Sequence, residues 1–506
     1  IIGSAGKGPV NEPTLVTNFV EAAAFGDWKA DGFTLPKYLD IMLSIFGCNI
    51  VVINATNPAT DITAVTNESK TFGSLNNTLN STKPYISLVS LGNTIVGNKK
   101  FASNLITLPT GITTVTAVKN AAGTVTYATP ADYTVSGSTI TRVGGGSIPV
   151  DAEVQITYTA TLVNNTDFSW VSDTGLFTRI TSGKIIAGAT VQLNYSYVDP
   201  TKTTQSDIIG QVNGTTNEYE GALAFLAAQN KTGLKPKILI APEFTEAKVD
   251  EATANPVASA LASLAKKLLG ISWVDLPNTT DQAALQYRDD FDDEHLIGVD
   301  PKCYVYNKQD QFELVCSSAI LAAVIARTDK EIGFWASPSN KPVSIIGKPA
   351  RTVDYSRYDD SCRAELLTNA GITTIIKLGA GYRFWGNNTF STSKANLKKI
   401  NQLRVKYAIE ESIEAAMIEA IDKNITVGYT SFVTNSVNEF LRGLLGLGAI
   451  AGGKCWIDSA INTPEKLAAG EIYFDYDYQE TPLAEKINFR VFKNKKYLTS
   501  ILGATV

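Results

Sequence analysis

His295 is the only histidine in this 506-residue chain, and hydrolytic chemistry would have to begin with it. A hydrolase triad needs a base to take the proton from its nucleophile, and histidine usually fills that role. His295 ends the run Asp289-Asp290-Phe291-Asp292-Asp293-Glu294-His295, whose carboxylates would raise its pKa and make it a poor base near neutrality. No Gly-x-Ser-x-Gly elbow accompanies it. The residue therefore reads as part of a solvated acidic loop, with no catalytic residue assigned. The same run lacks the spaced Asp-x-Asp-x-Asp-Gly and distal Glu of an EF-hand loop, so it reads as a charged surface turn.

Phosphate binding has one candidate, Gly448-Ala449-Ile450-Ala451-Gly452-Gly453-Lys454-Cys455, which approaches the pattern G-x-x-x-x-G-K-[ST]. Two physical requirements fail. Cys455 stands where a hydroxyl would hold magnesium, and the loop follows a helical pattern, Val437 to Leu445, where a buried strand is needed. A glycine-rich helix end is the better reading, with glycine supplying a left-handed cap. The overlapping Gly446-x-Gly448 fails as a dinucleotide loop for the same reason. Cys48, Cys303, Cys316, Cys362 and Cys455 are scattered and never form C-x-x-C, so with one histidine there is no zinc or haem set. The expectation is no cofactor, no metal, and reduced, mostly buried thiols. The densest basic stretch is Lys394, Lys398, Lys399, Arg404 and Lys406 at the start of a long helix. It reads either as a solvated helix face or as a basic patch against an acidic protein partner, and without interleaved aromatics it does not mark nucleic-acid binding.

Composition sets the frame in which such residues sit. The chain is 44% hydrophobic and 18% charged, with a net charge of −5. That suffices for sizeable cores, and 506 residues predict three or four domains. An acidic balance gives no general attraction to nucleic acid or anionic membrane. No apolar stretch is long enough to span a bilayer. Ile1-Ile2-Gly3 opens directly into a strand-like run without a signal-peptide pattern, and the missing initiator Met suggests a start inside a longer gene product.

The elements read as multidomain α/β plus all-β. Residues 1–94 form the first part of an α/β core, with helices over Asn18 to Phe25 and Leu35 to Phe46 and the apolar strand Ile50 to Ile53. Residues 95–205 turn Thr-, Val-, Gly- and Tyr-rich, with short alternating runs, and read as an inserted β-sandwich-type domain. It contains a repeat: Thr141 to Tyr158 is echoed without gaps by Thr178 to Tyr195, with Gly146/Gly183, Ile148/Ile185 and Ala152/Ala189 in register. Two β-units in tandem are the simplest account. Residues 206–386 resume the α/β pattern, which implies that the first 94 residues belong to the later sheet. Residues 387–506 read as an α+β domain, with a helix over Ser393 to Asp422 and strands at Glu471 to Tyr478 and Ile487 to Phe492.

Several stretches, in order, resemble the contractile tail sheath family of phages and tailocins. They include Ile325-Ala326-Arg327-Thr328-Asp329, Gly333-Phe334-Trp335-Ala336-Ser337-Pro338-Ser339-Asn340, and Val353-Asp354-Tyr355. Leu366 to Thr374, Tyr382-Arg383-Phe384-Trp385-Gly386-Asn387-Asn388-Thr389, Glu439-Phe440-Leu441-Arg442-Gly443-Leu444 and Phe474-Asp475-Tyr476-Asp477-Tyr478 continue the order. Gly3 to Pro9 and Leu35 to Asp40 also fit. Each motif is short, and their shared order carries the specificity.

The resemblance implies a core of subtilisin-like topology without a protease site, a variable outward β insert, and a terminal domain facing an inner tail tube. It implies a non-enzymatic subunit of the virion tail, assembled in the host bacterial cytoplasm and contracting to drive the tube through a bacterial envelope. Its partners would be further copies of itself in stacked hexameric rings, the tube protein, and baseplate and terminator proteins, with no nucleic acid and no membrane insertion. Extended terminal arms would add strands to neighbouring subunits. The arm expected here is Ile487, Asn488, Phe489, Arg490, Val491 and Phe492, an alternating strand suited to an open sheet edge. The tube-facing basic patch would be Lys394, Lys398, Lys399, Arg404 and Lys406. The family's N-terminal arm should precede the first strand, which Ile1-Ile2-Gly3 already matches. A degenerate α/β hydrolase with a carbohydrate-binding insert, or the sheath of a non-phage injection system, stays open on the sequence alone.

Overall fold

A computed structural model describes residues 1–29, 31–81, 83–248, 250, 253–308, 310–359, 361–379, 381–392 and 398–502. The chain is a mixture of helices and several sheets, and it divides into two compact units. One comprises Ile1–Glu331 with Pro338–Lys398, the other Ile332–Ser337 with Lys399–Val506.

The first unit is built on a six-stranded sheet. Ile238–Ile240, Ile271–Asp275, Leu296–Val299 and Ile372–Leu378 run parallel in that order. Gly381–Trp385 and Lys341–Val343 complete it antiparallel. Continuous apolar runs such as Ile238-Leu239-Ile240 are what a strand covered on both faces requires. The covering helix Pro256–Leu268 starts where Asn255 accepts from the Ala258 N–H and Pro256 presets the first turn. Its apolar stripe of Val257, Leu261, Leu264, Ala265 and Leu268 is buried. Helix Ser317–Glu331 is buried through its first nine residues.

The N-terminal segment joins this core but not its ladder. Ile50–Asn54 is fully buried and pairs parallel with Ile2–Gly3 and antiparallel with Thr14–Val16, making a separate three-stranded sheet. Ile2, Val51 and Ile53 nevertheless share one cluster with Leu239, Leu261 and Leu264. The expected membership in the later sheet is corrected to shared packing without a shared strand ladder. Ile2–Gly3 is too short a strand to carry a second ladder.

The β insert begins near Ile62, not at residue 95. The polar strand Ile62–Thr71 pairs along its length with Thr190–Val198, from Thr71↔Thr190 to Ile62↔Val198. Glu68 and Lys70 disguise it as a surface segment, which is why composition alone misplaces the boundary. The repeat is also not tandem. One six-stranded copy (Thr94–Lys100, Leu105–Thr107, Thr114–Asn120, Tyr133–Ser136, Thr139–Arg142, Glu153–Thr159) is nested inside another. The outer copy consists of Ile62–Thr71, Thr78–Asn80 and Ile86–Leu91, then Phe168–Val171, Leu176–Arg179 and Thr190–Val198.

Pairing and side chains correspond strand for strand. Glu153–Thr159 lies between Thr94–Lys100 and Thr114–Asn120, as Thr190–Val198 takes both Ile62–Thr71 and Ile86–Leu91. Each copy adds a three-stranded sheet. Arg142 donates from Nε to the Ile148 carbonyl at 2.6 Å and from Nη1 to Asn104 Oδ1 at 3.0 Å. Arg179 donates from Nη1 to the Ile185 carbonyl at 2.8 Å and from Nη2 to Asn77 Oδ1 at 2.7 Å. Asp132 and Asp167 each accept two backbone N–H bonds, from Ala128 and Ser147 and from Val163 and Lys184. Gly146 and Gly183 are fixed by close approach. A Cβ on either would sit 2.8 or 2.6 Å from the Cα of Asp132 or Asp167. Both copies contribute to one apolar cluster.

The second unit holds helices Ile400–Met417 and Val427–Gly446 and a two-stranded sheet, Ile450–Trp456 with Asp475–Glu480. The expected helix over Ser393 to Asp422 is shorter, and residues 393–397 lie outside the described residues.

Replacing Arg179 by Ala should lower stability by about 2–3 kcal/mol, because it removes charged donors from buried acceptors. Arg142→Ala should cost less, its guanidinium being more exposed. Urea unfolding of both variants measures this, and no loss at either would overturn their equivalence.

Candidate assembly interface

Open α/β sheets place their chemistry outside the carboxyl ends of the parallel strands. Here that edge is filled by polar side chains bonded to one another. Asp275 ends its strand fully buried, accepts from the Ser318 N–H at 3.0 Å and is bonded by the Ser318 hydroxyl. Burial pushes its carboxyl up to about 6 against those hydrogen bonds. Lys302 pairs with Glu246 at 2.6 Å. Asp300, also raised to about 6 by burial, pairs with Arg351, which shares Asp281 with Arg363.

His295 sits at the other end of the sheet. It precedes the strand Leu296–Val299 whose far end carries Asp300, a span of about 13 Å at 3.3 Å per residue. His295 is 3% exposed, and Nδ1 meets Asp293 Oδ1 at 2.8 Å. The expected solvated loop is corrected here: the carboxylate run turns inward at its last residue. Ser318 therefore has a carboxylate for a partner and no imidazole within reach.

The glycine run also resolves into structure. Helix Val427–Gly446 ends, Gly448 takes φ +77°, and Ile450–Trp456 follows as a strand. The five cysteines are free thiols, four of them buried and Cys48 half-buried.

Exposed apolar surface points to assembly. Ile487, Phe489, Val491 and Phe492 are 69, 88, 86 and 75% exposed. The expected strand over Ile487 to Phe492 is not formed within the chain. Residues 481–494 carry no regular secondary structure, because alternating apolar residues without a sheet alongside have nothing to pair with. In the same unit, the two-stranded sheet packs Tyr476 and Tyr478 against Val405, Val437, Leu441 and Cys455.

The basic stretch is described only in part. Lys394 lies outside the described residues, Lys398 is exposed as the last residue of the first unit, and Lys399 pairs with Glu485 at 2.7 Å. Arg404 and Lys406 are half-buried on helix Ile400–Met417, with Lys406 Nζ 5.6 Å from the Tyr407 ring. Trp335 packs on the second unit's core, and Trp385 on the first unit's core against Tyr355 at 4.9 Å.

Residues 213–390 match the phage tail sheath protein central domain, and residues 392–493 match the phage tail sheath C-terminal domain, together more than half of the chain. The chain belongs to the phage tail sheath family. It is 35% identical over 298 residues to a prophage major tail sheath protein of Pseudomonas aeruginosa (strain UCBPP-PA14), covering 59% of this chain and 75% of that one. The tail sheath protein of Burkholderia phage BcepMu is 29% identical over 520 residues, covering 99% of this chain and 93% of its own. Among solved structures, a sheath tail protein of Desulfitobacterium hafniense aligns over 97% of this chain and 94% of its own, with a TM-score of 0.47 and 12% identity. The sheath of an extracellular contractile injection system in its contracted state aligns over 55% of this chain and 77% of its own, with a TM-score of 0.45 and 20% identity.

Because burial raises the Asp275 carboxyl from 3.8 to about 6, folding favours its protonated form. Its contribution to stability is greatest below pH 4, falls as pH rises, and levels off above 6. Asp275→Asn should remove that component, up to about 3 kcal/mol between pH 4 and 7. Urea midpoints of both proteins across that range test it, and parallel profiles would contradict it.

Proposed function

We propose that this chain is the structural subunit of a contractile tail sheath. Copies polymerise helically, in stacked hexameric rings, around an inner tail tube, and contraction drives the tube through a bacterial envelope. The observation that carries the reading is an arm of exposed alternating apolar residues, Ile487 to Phe492, in the same unit as a sheet of only two strands. A sheet that small leaves main-chain groups on its outer edges, and an extended segment from another copy can take them as an added strand. Burying Ile487, Phe489 and Val491 would stabilise the contact by roughly 1.5–3 kcal/mol each.

An arm given to one neighbour and an edge offered to another is a head-to-tail contact that does not close, which generates a filament. Arms that stay paired while the globular units reorient let a lattice change its helical parameters and keep its connections. The parallel strands and buried helix Ser317–Glu331 support reading the first unit as the family's subtilisin-like core. The bonded pair Ser318–Asp275, with His295 at the far end, supports a subunit without catalysis. Tube, baseplate and terminator proteins are its further partners, in a virion tail assembled in the host cytoplasm. The scattered placement of Lys398, Lys399, Arg404 and Lys406 lends little support to a shared tube-facing patch.

Negative-stain electron microscopy of the purified protein should show hollow, regularly ridged cylinders. Deleting residues from Ile487 onward should abolish them and leave folded monomer by circular dichroism. Cylinders that survive the deletion would rule the arm out.

A further inference from the structure

The two edges of the sheet in the second unit are not equivalent. In an antiparallel ladder the N–H and C=O of one residue point to the same side, and the side alternates along the strand. On the strand Ile450–Trp456, the Lys454 N–H faces its partner strand, bonded at 3.0 Å to Asp477 Oδ1. Cys455 therefore faces outward, and there helix Val427–Gly446 covers it. Asn438 donates from Nδ2 to the Cys455 carbonyl at 2.9 Å and accepts the Cys455 N–H on Oδ1 at 2.8 Å. One amide side chain thus takes both outward main-chain groups of Cys455, in the middle of the length that an added strand would need.

The opposite edge carries no such plug. Tyr476 pairs with Cys455 and Tyr478 with Gly453, so both tyrosines turn their main-chain groups outward on Asp475–Glu480. Among the described residues, no hydrogen bond reaches those groups from that side. Tyr476 and Tyr478 point their rings into the core, stacked with centroids 6.4 Å apart. Asp475, Asp477 and Gln479 then occupy the other face by the two-residue period.

Charge matches this edge to one segment of the chain. From Lys486 to Lys496 there are five cations and no acid, in a protein whose net charge is −5. Asp475–Glu480 carries three acids in six residues and no cation. Parity fixes which residues meet. If Ile487, Phe489 and Val491 continue the apolar face of Tyr476 and Tyr478, Asn488 and Arg490 fall on the face of Asp475 and Asp477. A slip by one residue would expose the apolar row and turn Arg490 toward the core.

Resting on the assembly reading above, we infer that the arm of a second copy docks on the outer edge of Asp475–Glu480, with Arg490 beside Asp475 and Asp477 as the residue that selects its edge and register. Neither the plug by Asn438 nor the charge pairing follows from the apolar alternation alone.

The test is charge reversal in the polymerising protein. Arg490→Glu lies in an exposed segment and leaves the folded units intact, which circular dichroism would verify. The threshold concentration for cylinders, read by sedimentation and electron microscopy, should rise roughly tenfold or more as attraction becomes repulsion across adjacent strands. Asp477→Lys should raise it likewise, and a chain carrying Arg490→Glu together with Asp475→Lys and Asp477→Lys should return toward the wild-type threshold. Wild-type cylinders with an unchanged threshold for Arg490→Glu would overturn this pairing and leave the sheath reading intact. So would a combined variant that stays folded but is not restored. Absence of cylinders from the wild-type protein would count against the sheath reading itself.

Discussion

A strand at the edge of a sheet holds a row of N–H and C=O groups that must bond to something, and the second unit is organised around that demand. Its two strands are too few to satisfy each other. On one outer row the groups of Cys455 are met by a side chain, Asn438, fixed on a helix whose apolar stripe Val433, Val437, Leu441 and Leu444 is buried. The other row is flanked by carboxylates and stands beside no described partner. The helix and the sheet are one arrangement, in which a helix side chain bonds one edge and, among the described residues, none bonds Tyr476 or Tyr478 on the other.

The first unit resolves its polar groups in the opposite way. Where a parallel sheet would present a reactive cleft, Asp275, Ser318, Lys302, Glu246, Asp300, Arg351, Asp281 and Arg363 bond to each other. Paired charges of this kind fix geometry more than they add net stability. A subunit that transmits force needs helices and strands that keep their mutual positions. A cluster tying strand ends to the first turn of helix Ser317–Glu331 does that.

Much of this was legible in the residues. The buried strands Ile50–Asn54 and Ile238–Ile240 announce themselves by continuous apolar runs, and the cap Asn255-Pro256 marks its helix. The motif order from Ile325 to Tyr478 identified the family. What stayed hidden depends on partners distant in sequence. Ile62–Thr71 looks like a charged surface segment until Thr190–Val198 lies beside it. His295 looks solvated because its six preceding residues are mostly acidic, yet its burial is decided by the strand it begins. Asn438 is an ordinary helix residue in the sequence. Only the strand seventeen positions later gives it a task.

The nested insert has a consequence for how the chain reaches its structure. The inner copy enters and leaves at neighbouring points, where the Ala160 N–H bonds the Asn93 carbonyl at 2.9 Å. The outer copy must bring Ile62–Thr71 to Thr190–Val198 across all of the inner one. Closing a loop of that length from a disordered chain is slow, because contacts far apart in sequence carry their entropy cost before any reward. Once the inner copy has folded, its two ends are already side by side and the effective loop shrinks to the outer strands alone. The order of folding is thereby written into the topology, from the inside outward.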